Sequence, residues 1–437
     1  MRIIQLILIL LIATLTRAQA LYPDEPTVRV RIINTLDTLD LETLGHWTAR
    51  FNTNHLQLTD GGKIRITVDG NQLHVNTEDS VQLPLIHNLQ LSSPQDSNQI
   101  KIVNVPYGLG WWWGGQEDRF YSGTLHIYPN EDGHISVTVH LPLETYLKGV
   151  VPYEIGPESP MEALKAQAVA ARSEAVIALN SGMYGGYQHD LTSDVECQVF
   201  SGNKRRSAAS DAAVAATRGL VLAEQGEVIH AFYASNCGGR AEKIENVWPG
   251  RNRSRSYQVS HYDRTIRRGL NLKHNIWARL WINRSPRVYC NPQRNPGLPS
   301  WSQRNFRWER SFSITEISNM LAPDSSFGSL KKIKVLKRGE SGRITHARFI
   351  FEHGQFEESG ELRIRQLFAP SLRSSNFYAS RKGELYILHG AGWGHGVGMC
   401  QTGAIAQAIT GVTYKQILRH YYPASSLLDI YSTTKSR

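Results

Sequence analysis

The chain has 437 residues, of which 41% are hydrophobic and 20% are charged, so it is long enough for two or three domains and ample to bury a core. Its formal net charge is +10, and its one long apolar stretch lies at the N-terminus. This pattern excludes a protein with several membrane spans and predicts an exported protein that is soluble or loosely attached to a membrane.

The N-terminal residues have the features of a secretory signal. Arg2 supplies the positive start, residues 3–15 form the apolar core, and residues 18–20 read Ala-Gln-Ala, a cleavage site of the A-x-A type. We predict a signal peptide at residues 1–20 and a secreted, periplasmic or cell-envelope location after its removal. Arg17, just after the apolar core, leaves an uncleaved membrane anchor as the alternative.

Residues 21–120 alternate apolar and polar side chains, which predicts a β-rich N-terminal region. The clearest runs are VRVRII at 28–33, KIRITV at 63–68 and QIKIVNV at 99–105. Residues 121–430 combine strand and helix patterns. The predicted fold class is therefore α+β, with a β-rich N-terminal domain followed by a mixed α/β core that carries a loop-rich basic insertion.

One helix is strongly predicted within this core, at residues 160–180. Pro160 suits the first helical position, Ser159 and Glu162 are placed as a capping box, and the interior is rich in good helix formers. Lys165 is the first of two basic residues on one face of this helix, because Arg172 follows seven residues later, two turns along.

Glu154 lies between an apolar run and the start of that helix. A carboxylate beside a basic helical stripe can form an acid/base site for an anionic substrate. A surface acid beside a solvated helix face is the alternative that spacing alone leaves open.

The basic insertion is predicted at about residues 249–304, where several prolines favour loops. Residues 251–310 hold fourteen Lys or Arg and two acids, an excess of twelve positive charges. Such a block can bind a polyanion. No nucleic-acid motif accompanies it, so with export the cell envelope is the expected partner, and a solvated insertion that aids solubility is the alternative.

Strands and helices return after the insertion. Strands are predicted at KIKVLKR (332–338), ITHARFIFEH (344–353) and GELRIRQ (360–366). The glycine-rich loop GWGHGVGM (392–399) then leads into two helices, QTGAIAQAITG (401–411) and TYKQILRHYYP (413–423).

Several of these stretches occur in an order that a known family shares. They include LPLETYLKGVVPYE at 141–154, ALKAQAVAARS at 163–173, DLTSDVECQVFSG at 190–202, HAFYASNCGGRAEKIENVW at 230–248 and GWGHGVGMCQTGA at 392–404. Together they resemble the stage II sporulation protein D / LytB amidase-enhancer family. The resemblance implies cleavage of glycan strands in peptidoglycan, with Glu154 as the catalytic residue.

The resemblance also implies roles for residues around Glu154. Lys165 and Arg172 are expected to line the cleft and to grip the lactyl carboxylate of muramic acid, which is free only where the stem peptide has been removed. Bidentate arginine binding suits such a group. Four further residues lie in the other motifs and are expected to bind substrate: Gln198, Ser235, His395 and Gln401.

The presence of one candidate catalytic glutamate favours a lytic transglycosylase. Ordinary glycosidases use two carboxylates, whereas in a lytic transglycosylase the 6-hydroxyl of the muramic acid attacks and one glutamate serves as both acid and base. A second carboxylate from Glu158, Glu162 or Glu174 is the hydrolytic alternative. A non-catalytic wall-binding protein that enhances a partner N-acetylmuramoyl-L-alanine amidase is the other alternative.

The pKa of Glu154 is not settled by the sequence. A helix N-terminus and Lys165 would lower it, whereas burial against the neighbouring apolar residues would raise it.

Four cysteines fit an oxidising compartment. The family usually has small residues at the positions of Cys197 and Cys400, and their joint departure predicts the pairs Cys197–Cys400 and Cys237–Cys290. Four buried or free thiols are the alternative. Some family members have a Cys/His cluster just before the glutamine that matches Gln198, but only Cys197 and His189 are available there, so no metal and no cofactor is predicted.

Overall fold

A computed structural model describes residues 21–78, 84–108, 114–186, 188–250, 256, 260–264 and 269–431. These residues form an α+β fold with a β-rich N-terminal part, and the predicted fold class is confirmed. The predicted signal peptide at 1–20 lies outside the described residues. Among the residues that are described, no helix combines the length and the apolarity needed to cross a bilayer.

The α-helices of the described residues all lie after residue 142. In the described ranges they are α1 (Leu143–Ile155), α2 (Met161–Ser181), α3 (Ala208–Ala216), α4 (Asn275–Ile282), α5 (Ser300–Gln303), α6 (Ile314–Leu321), α7 (Glu361–Gln366), α8 (Gln401–Ile409) and α9 (Tyr414–Tyr421).

Two large sheets dominate the N-terminal half. The seven-stranded sheet has the order β12-β1-β11-β10-β7-β3-β4, with β1 (Thr27–Leu36), β3 (Trp47–Phe51), β4 (Asn54–Leu58), β7 (Leu89–Ser92), β10 (Thr124–Pro129), β11 (Ile135–Pro142) and β12 (Leu191–Thr192). The five-stranded sheet has the order β6-β5-β2-β8-β9, with β2 (Thr38–Leu44), β5 (Lys63–Asp69), β6 (Gln72–Thr77), β8 (Gln99–Tyr107) and β9 (Gly115–Tyr121).

Smaller sheets organise the rest of the chain. One contains β13 (Leu220–Glu224), β14 (Glu227–Val228) and β23 (Ser426–Asp429), and another pairs β15 (Tyr233–Ala234) with β22 (Met399–Cys400). Two further three-stranded sheets contain β16 (Arg307–Ser313), β20 (Phe377–Lys382) and β21 (Leu385–Ala391), and β17 (Leu330–Arg338), β18 (Ile344–Phe351) and β19 (Gln355–Ser359).

The seven-stranded sheet includes strands from both sides of residue 120, where the sequence predicts a domain boundary. Strand β1 pairs with β11 in antiparallel fashion and with β12 in parallel fashion. Its inward residues Val28 and Val30 are fully buried, as the period of two requires. The boundary at residue 120 itself stays a prediction.

Helix α2 is the centre of the core. It packs against α1, α3, α8 and α9, and its alanines are buried on several sides because only small side chains allow so many neighbours to approach. The predicted bounds, 160–180, differ from the observed ones by one residue at each end. The predicted capping box does not form, because the Ser159 hydroxyl donates to the carbonyl of Ile155 instead.

The last predicted strand before the glycine-rich loop is wrong. Residues 361–366 of GELRIRQ form α7, which begins after Gly360 at a φ of 101°. Glu361 and Arg365 are one helical turn apart, and both are buried in a shared ion pair at 3.5 Å. The alternation of apolar and polar residues in six residues fits either element, and this contact favours the helix.

The basic insertion is loop-rich where the structure describes it. Its described residues contain the short helices α4 and α5 and are otherwise turns and irregular backbone. Trp281 of α4 packs into a buried cluster with residues of α2, α8 and α9. The insertion is thereby joined to the core by apolar burial.

Candidate functional site

Glu154 lies in the last turn of α1, which Gly156 ends at a φ of 92°. Val150, Val151 and Ile155 are fully buried and fix this turn against the core. The carboxylate therefore sits at a helix C-terminus, where the peptide dipoles present their negative end and disfavour a negative charge.

Three groups hold the Glu154 carboxylate. The backbone N–H of Val199 donates to Oε1 at 2.9 Å, and the Nε2 of Gln401 donates to Oε2 at 3.5 Å. The Tyr233 hydroxyl is the third hydrogen-bond partner. The site is thus assembled from four distant parts of the chain: α1, the loop after β12, β15 and the start of α8.

Burial decides the protonation of Glu154. It is the largest influence and raises the pKa of the carboxyl from 4.5 to about 7, although the hydrogen bonds from Val199, Gln401 and Tyr233 act to lower it. No cation contributes to this shift, so the lowering that the sequence suggested from Lys165 is not found. A carboxyl with this pKa can both donate and accept a proton near neutral pH.

Tyr233 and Gln198 are joined by a hydrogen bond beside the Glu154 carboxylate. The Tyr233 hydroxyl donates to Oε1 of Gln198 at 2.8 Å, and Nε2 of Gln198 donates to the carbonyl of Ala171 at 3.2 Å. Because a phenol has one proton, Tyr233 can donate to Gln198 or to the Glu154 carboxylate, but not to both at once. The hydrogen bond to the carboxylate lowers the pKa of Glu154.

Gln401 is held by a second amide on α2. Its Nε2 is 3.3 Å from Oε1 of Gln167, whose side chain is fully buried. Within the described residues, Nε2 of Gln167 has no hydrogen-bond partner. Sequence reasoning missed both Gln167 and Tyr233, although each lies inside a stretch that resembles the family, AQAVAARS and HAFYAS.

His395 is a neutral imidazole in a packed setting. The backbone N–H of Val397 donates to its Nδ1 at 3.0 Å, and the ring lies 4.9 Å from that of Trp248. Burial first, and then the positive charges of Arg343 and Arg365, lower the pKa of His395 from 6.5 to about 3. It can therefore donate a hydrogen bond from Nε2, but it cannot act as an acid near neutral pH.

The structure does not support the predicted role of Arg172. Its side chain is fully buried, and Nε and Nη2 donate to Glu144 at 2.9 and 2.7 Å. Nη1 donates to the carbonyl of Leu220 at 3.0 Å. The guanidinium is therefore saturated by the protein and cannot grip a substrate carboxylate.

Lys165 lies on the same helix but makes different contacts. Its ammonium group is 2.8 Å from Glu162 and 5.8 Å from the ring of Tyr414 on α9. None of its contacts is with Glu154. Lys165 and Arg172 thus lie on one face of α2, as predicted, but they do not form a common site with Glu154.

Ser235 supports the loops behind the site and is not among the partners of Glu154. Its hydroxyl accepts a hydrogen bond from Asn305 at 3.2 Å, and its carbonyl accepts one from the Thr402 hydroxyl at 2.7 Å. The residue thereby ties β15 to the first turn of α8.

The predicted disulfides are not formed. All four cysteines are free thiols. Cys400 lies with Cys237 and Cys290 within 4.8 Å, whereas Cys197 is not a member of that group and lies near Tyr146 and Thr192. The pairing Cys197–Cys400 is therefore not supported, since the two residues sit in separate surroundings.

A cavity of about 200 Å³ adjoins the loop that holds Glu154. Val199, whose N–H binds the carboxylate, lines it together with the cations Arg31 and Arg119 and the aromatic ring of Tyr107. Arg119 is anchored through Nε to Glu117 at 2.9 Å. Asp194 and Glu196 also line the cavity, which therefore carries charges of both signs.

The buried Glu154 carboxyl has a consequence for stability. Its folded pKa of about 7 exceeds the ordinary 4.5, so its contribution to folding is present below about pH 4.5 and is lost as the pH rises through about 7. We expect Glu154→Gln to raise the free energy of unfolding at pH 8.5 by about 2 kcal/mol, a value discounted from the full linkage because the side chain is partly exposed.

Urea unfolding of both proteins at pH 4 and pH 8.5 measures this effect. The increase in the free energy of unfolding of Glu154→Gln should shrink toward zero at pH 4. Glu158→Gln, at an exposed position just after α1, is the control and should change stability little at either pH. An equal effect of Glu154→Gln at both pH values would contradict the raised pKa.

Two family models match parts of the chain. Residues 131–223, which include Glu154 and Gln198, match the family model described as stage II sporulation protein, SpoIID. Residues 242–398, which include His395, match a domain of unknown function, DUF8618.

Similar proteins come from several bacteria. The chain is 30% identical to an uncharacterized protein of Brachyspira hyodysenteriae over 71% of this chain and 72% of that protein. It is 26% identical to the amidase enhancer of Bacillus subtilis over 64% of this chain and 40% of that protein. It is 25% identical to the stage II sporulation protein D of Bacillus amyloliquefaciens over 68% and 78%, respectively.

Proposed function

The chain belongs to the stage II sporulation protein D and amidase-enhancer family, and from this premise we propose that it is a peptidoglycan lytic transglycosylase with Glu154 as its acid and base. The observation that carries the proposal is the burial of the Glu154 carboxyl, which raises its pKa to about 7. A buried carboxyl with a pKa of about 7 is suited to donate a proton to a glycosidic oxygen near neutral pH. Family membership supports a role at the cell wall without specifying the reaction.

The proposed reaction needs one carboxyl group. Protonated Glu154 donates its proton to the glycosidic oxygen as the bond to the muramic anomeric carbon breaks. The 6-hydroxyl of the same sugar forms a bond to that carbon, and its proton returns to the Glu154 carboxylate. The products are an anhydro-muramoyl end and a new free hydroxyl on the leaving sugar, and the enzyme regains its starting protonation.

The surroundings of Glu154 favour this cyclisation over hydrolysis. Its hydrogen-bond partners are a backbone N–H, an amide and a phenol, and none is a second carboxyl. The alternatives are occupied elsewhere: Glu162 binds Lys165, and Glu174 accepts hydrogen bonds from the N–H of Ala231 and from His230. Glu158 is exposed.

The proposed substrate is a glycan strand without stem peptides. Removal of the peptide frees the lactyl carboxylate, which needs a cation. Because Arg172 is saturated by Glu144, we assign this role to Arg31, which is partly exposed at the cavity beside Val199. Gln198 and Gln401 are 2% and 3% exposed and already contact Tyr233 and Glu154, so we assign them the role of positioning these two groups.

We propose an envelope location, in agreement with the predicted export signal and with the family. A partner amidase that strips the stem peptides would supply the substrate. A second candidate function is that of a non-catalytic amidase enhancer, which the name of the Bacillus subtilis relative favours.

Mass spectrometry of glycan strands distinguishes these functions. The purified protein is incubated with strands that an amidase has stripped and, in parallel, with intact peptidoglycan. The proposal predicts anhydro-muramoyl ends from the stripped strands and at least about tenfold fewer from the intact material, because a blocked carboxylate loses its charge contact with Arg31. Reducing ends would contradict cyclisation, and unchanged strands together with faster cleavage by an added amidase would favour the enhancer.

A further inference from the structure

Three cysteines and one aspartate meet in the interior, away from the contacts of Glu154. They are Cys237 after β15, Asp263 and Cys290 in the basic insertion, and Cys400 at the end of β22. One ligand atom from each lies within 4.8 Å of those from the others. All four residues are at most 2% exposed, so the cluster is fully enclosed.

The distance between two of the sulfurs distinguishes a disulfide from a pair of metal ligands. Sγ of Cys237 and Sγ of Cys290 are 3.7 Å apart. A disulfide requires about 2.05 Å. A tetrahedron with zinc–sulfur bonds of about 2.3 Å has an edge of about 3.8 Å, which agrees with the observed separation.

Groups around the cluster orient its ligand atoms. The backbone N–H of Cys237 donates to Sγ of Cys400 at 3.2 Å. The two carboxylate oxygens of Asp263 accept from the N–H of Cys290 at 2.9 Å and from the Tyr421 hydroxyl at 2.7 Å. Such outer contacts are typical of metal ligands, because they fix the direction of each lone pair.

A counter-charge lies close by. The guanidinium of Arg307 is held by the carbonyls of Ile282 and Trp281 at 2.8 and 2.9 Å. Its positive charge acts on Cys237 and Cys290. This cation would offset part of the negative charge of a site built from three thiolates and one carboxylate.

We propose that Cys237, Cys290, Cys400 and Asp263 bind one zinc ion. Three thiolates and one carboxylate supply the four ligands of a closed tetrahedral site, and soft sulfur ligands select zinc over magnesium or calcium. With no open position, the ion is structural and takes no part in the chemistry of Glu154. The sequence-based expectation of no metal considered Cys197 and His189, which are not members of this cluster.

The zinc site would connect the basic insertion to the junction of β22 and α8. Cys400 immediately precedes Gln401, which contacts Glu154, and it pairs with Ala234 next to Tyr233. Asp263 and Cys290 belong to the insertion. One ion would thus fix two partners of Glu154 and the insertion in a single arrangement.

Metal analysis of the full chain tests the proposal. Protein is purified without chelators, and elemental analysis is combined with mass spectrometry of alkylated thiols. We expect about one zinc ion per chain, four alkylatable cysteines after unfolding, and a thiolate-to-metal absorption band in the near ultraviolet when cobalt replaces zinc. Protein that takes up no zinc or cobalt, or that contains a Cys237–Cys290 disulfide, would overturn it.

Matched variants separate ligand loss from unfolding. Cys400→Ser and Asp263→Asn should weaken zinc binding by at least about 100-fold, since even an outer-contact change costs about 10- to 100-fold. Cys197→Ser should retain the ion and serves as the control. If a ligand variant does not fold, the cobalt spectrum of the wild-type protein shows whether the cysteines bind the metal. Sulfur coordination gives an absorption band that binding by surface carboxylates lacks.

Discussion

Glu154→Gln is expected to lower the rate of glycan cleavage by about 10³-fold, within the range that a positioned general acid/base supplies. Glutamine keeps the shape and can accept the hydrogen bond from the N–H of Val199, but its amide N–H is too weakly acidic to protonate the glycosidic oxygen. The measurement is the initial rate of anhydro-end release from stripped strands, at equal concentrations of folded protein.

The control for this prediction is Glu158→Gln, which removes an exposed carboxyl four residues along the chain. Its rate should stay within about twofold of the wild type, because surface substitutions away from a site have small effects. The combination of lost activity and raised stability at alkaline pH is expected for Glu154→Gln alone. Retained activity in Glu154→Gln would exclude this residue as the acid.

Arg172→Met is expected to destabilise the protein by about 3–5 kcal/mol, because it leaves the buried Glu144 carboxylate without its cation. Oε1 of Glu144 retains hydrogen bonds from the N–H of Gly219 and the Tyr431 hydroxyl at 3.2 and 2.9 Å. These bonds do not replace the lost positive charge. Equilibrium urea unfolding measures the difference, and the double variant Arg172→Met/Glu144→Met should recover part of it.

Arg206→Met is the matched control for Arg172→Met. Arg206 pairs with Asp211 at 2.6 Å, but both side chains are 29% exposed, so its loss should cost at most about 1 kcal/mol. A substrate-binding Arg172 would behave differently. Its loss would raise KM and leave the unfolding free energy nearly unchanged, and that result would contradict the structural role.

The sequence predicts well those features that depend on local pattern. The alternation in VRVRII and KIRITV corresponds to β1 and β5, and the Ala-rich stretch to α2. These predictions succeed because periodicity and helix propensity are properties of neighbouring residues. GELRIRQ is the exception, since its short pattern fits two elements and a buried ion pair between Glu361 and Arg365 decides between them.

The site depends on contacts that no local pattern contains. Spacing places Lys165 and Arg172 on one face of α2, but it does not show that the helix is enclosed by four others. The partner of Arg172 is Glu144, 28 residues earlier in the chain. The pKa of Glu154 likewise depends on burial by distant segments, including Tyr233 and Gln401.

The cysteines show the same limit. Their positions in the sequence allow three pairings, and departures from the family pattern suggested Cys197–Cys400. The fold instead brings Cys400 to Cys237, Cys290 and Asp263. Asp263 carries no sequence signal as a ligand, because a single aspartate in a basic loop has no spacing relation to the cysteines.

The pH dependence of kcat/KM for release of anhydro ends tests the central claim most directly, because it reports the protonation of the essential acid in the free enzyme. A buried Glu154 predicts that kcat/KM falls tenfold per pH unit above about pH 7. A fall that begins near the ordinary glutamate pKa of 4.5, or a rate that rises through neutral pH, would contradict the account.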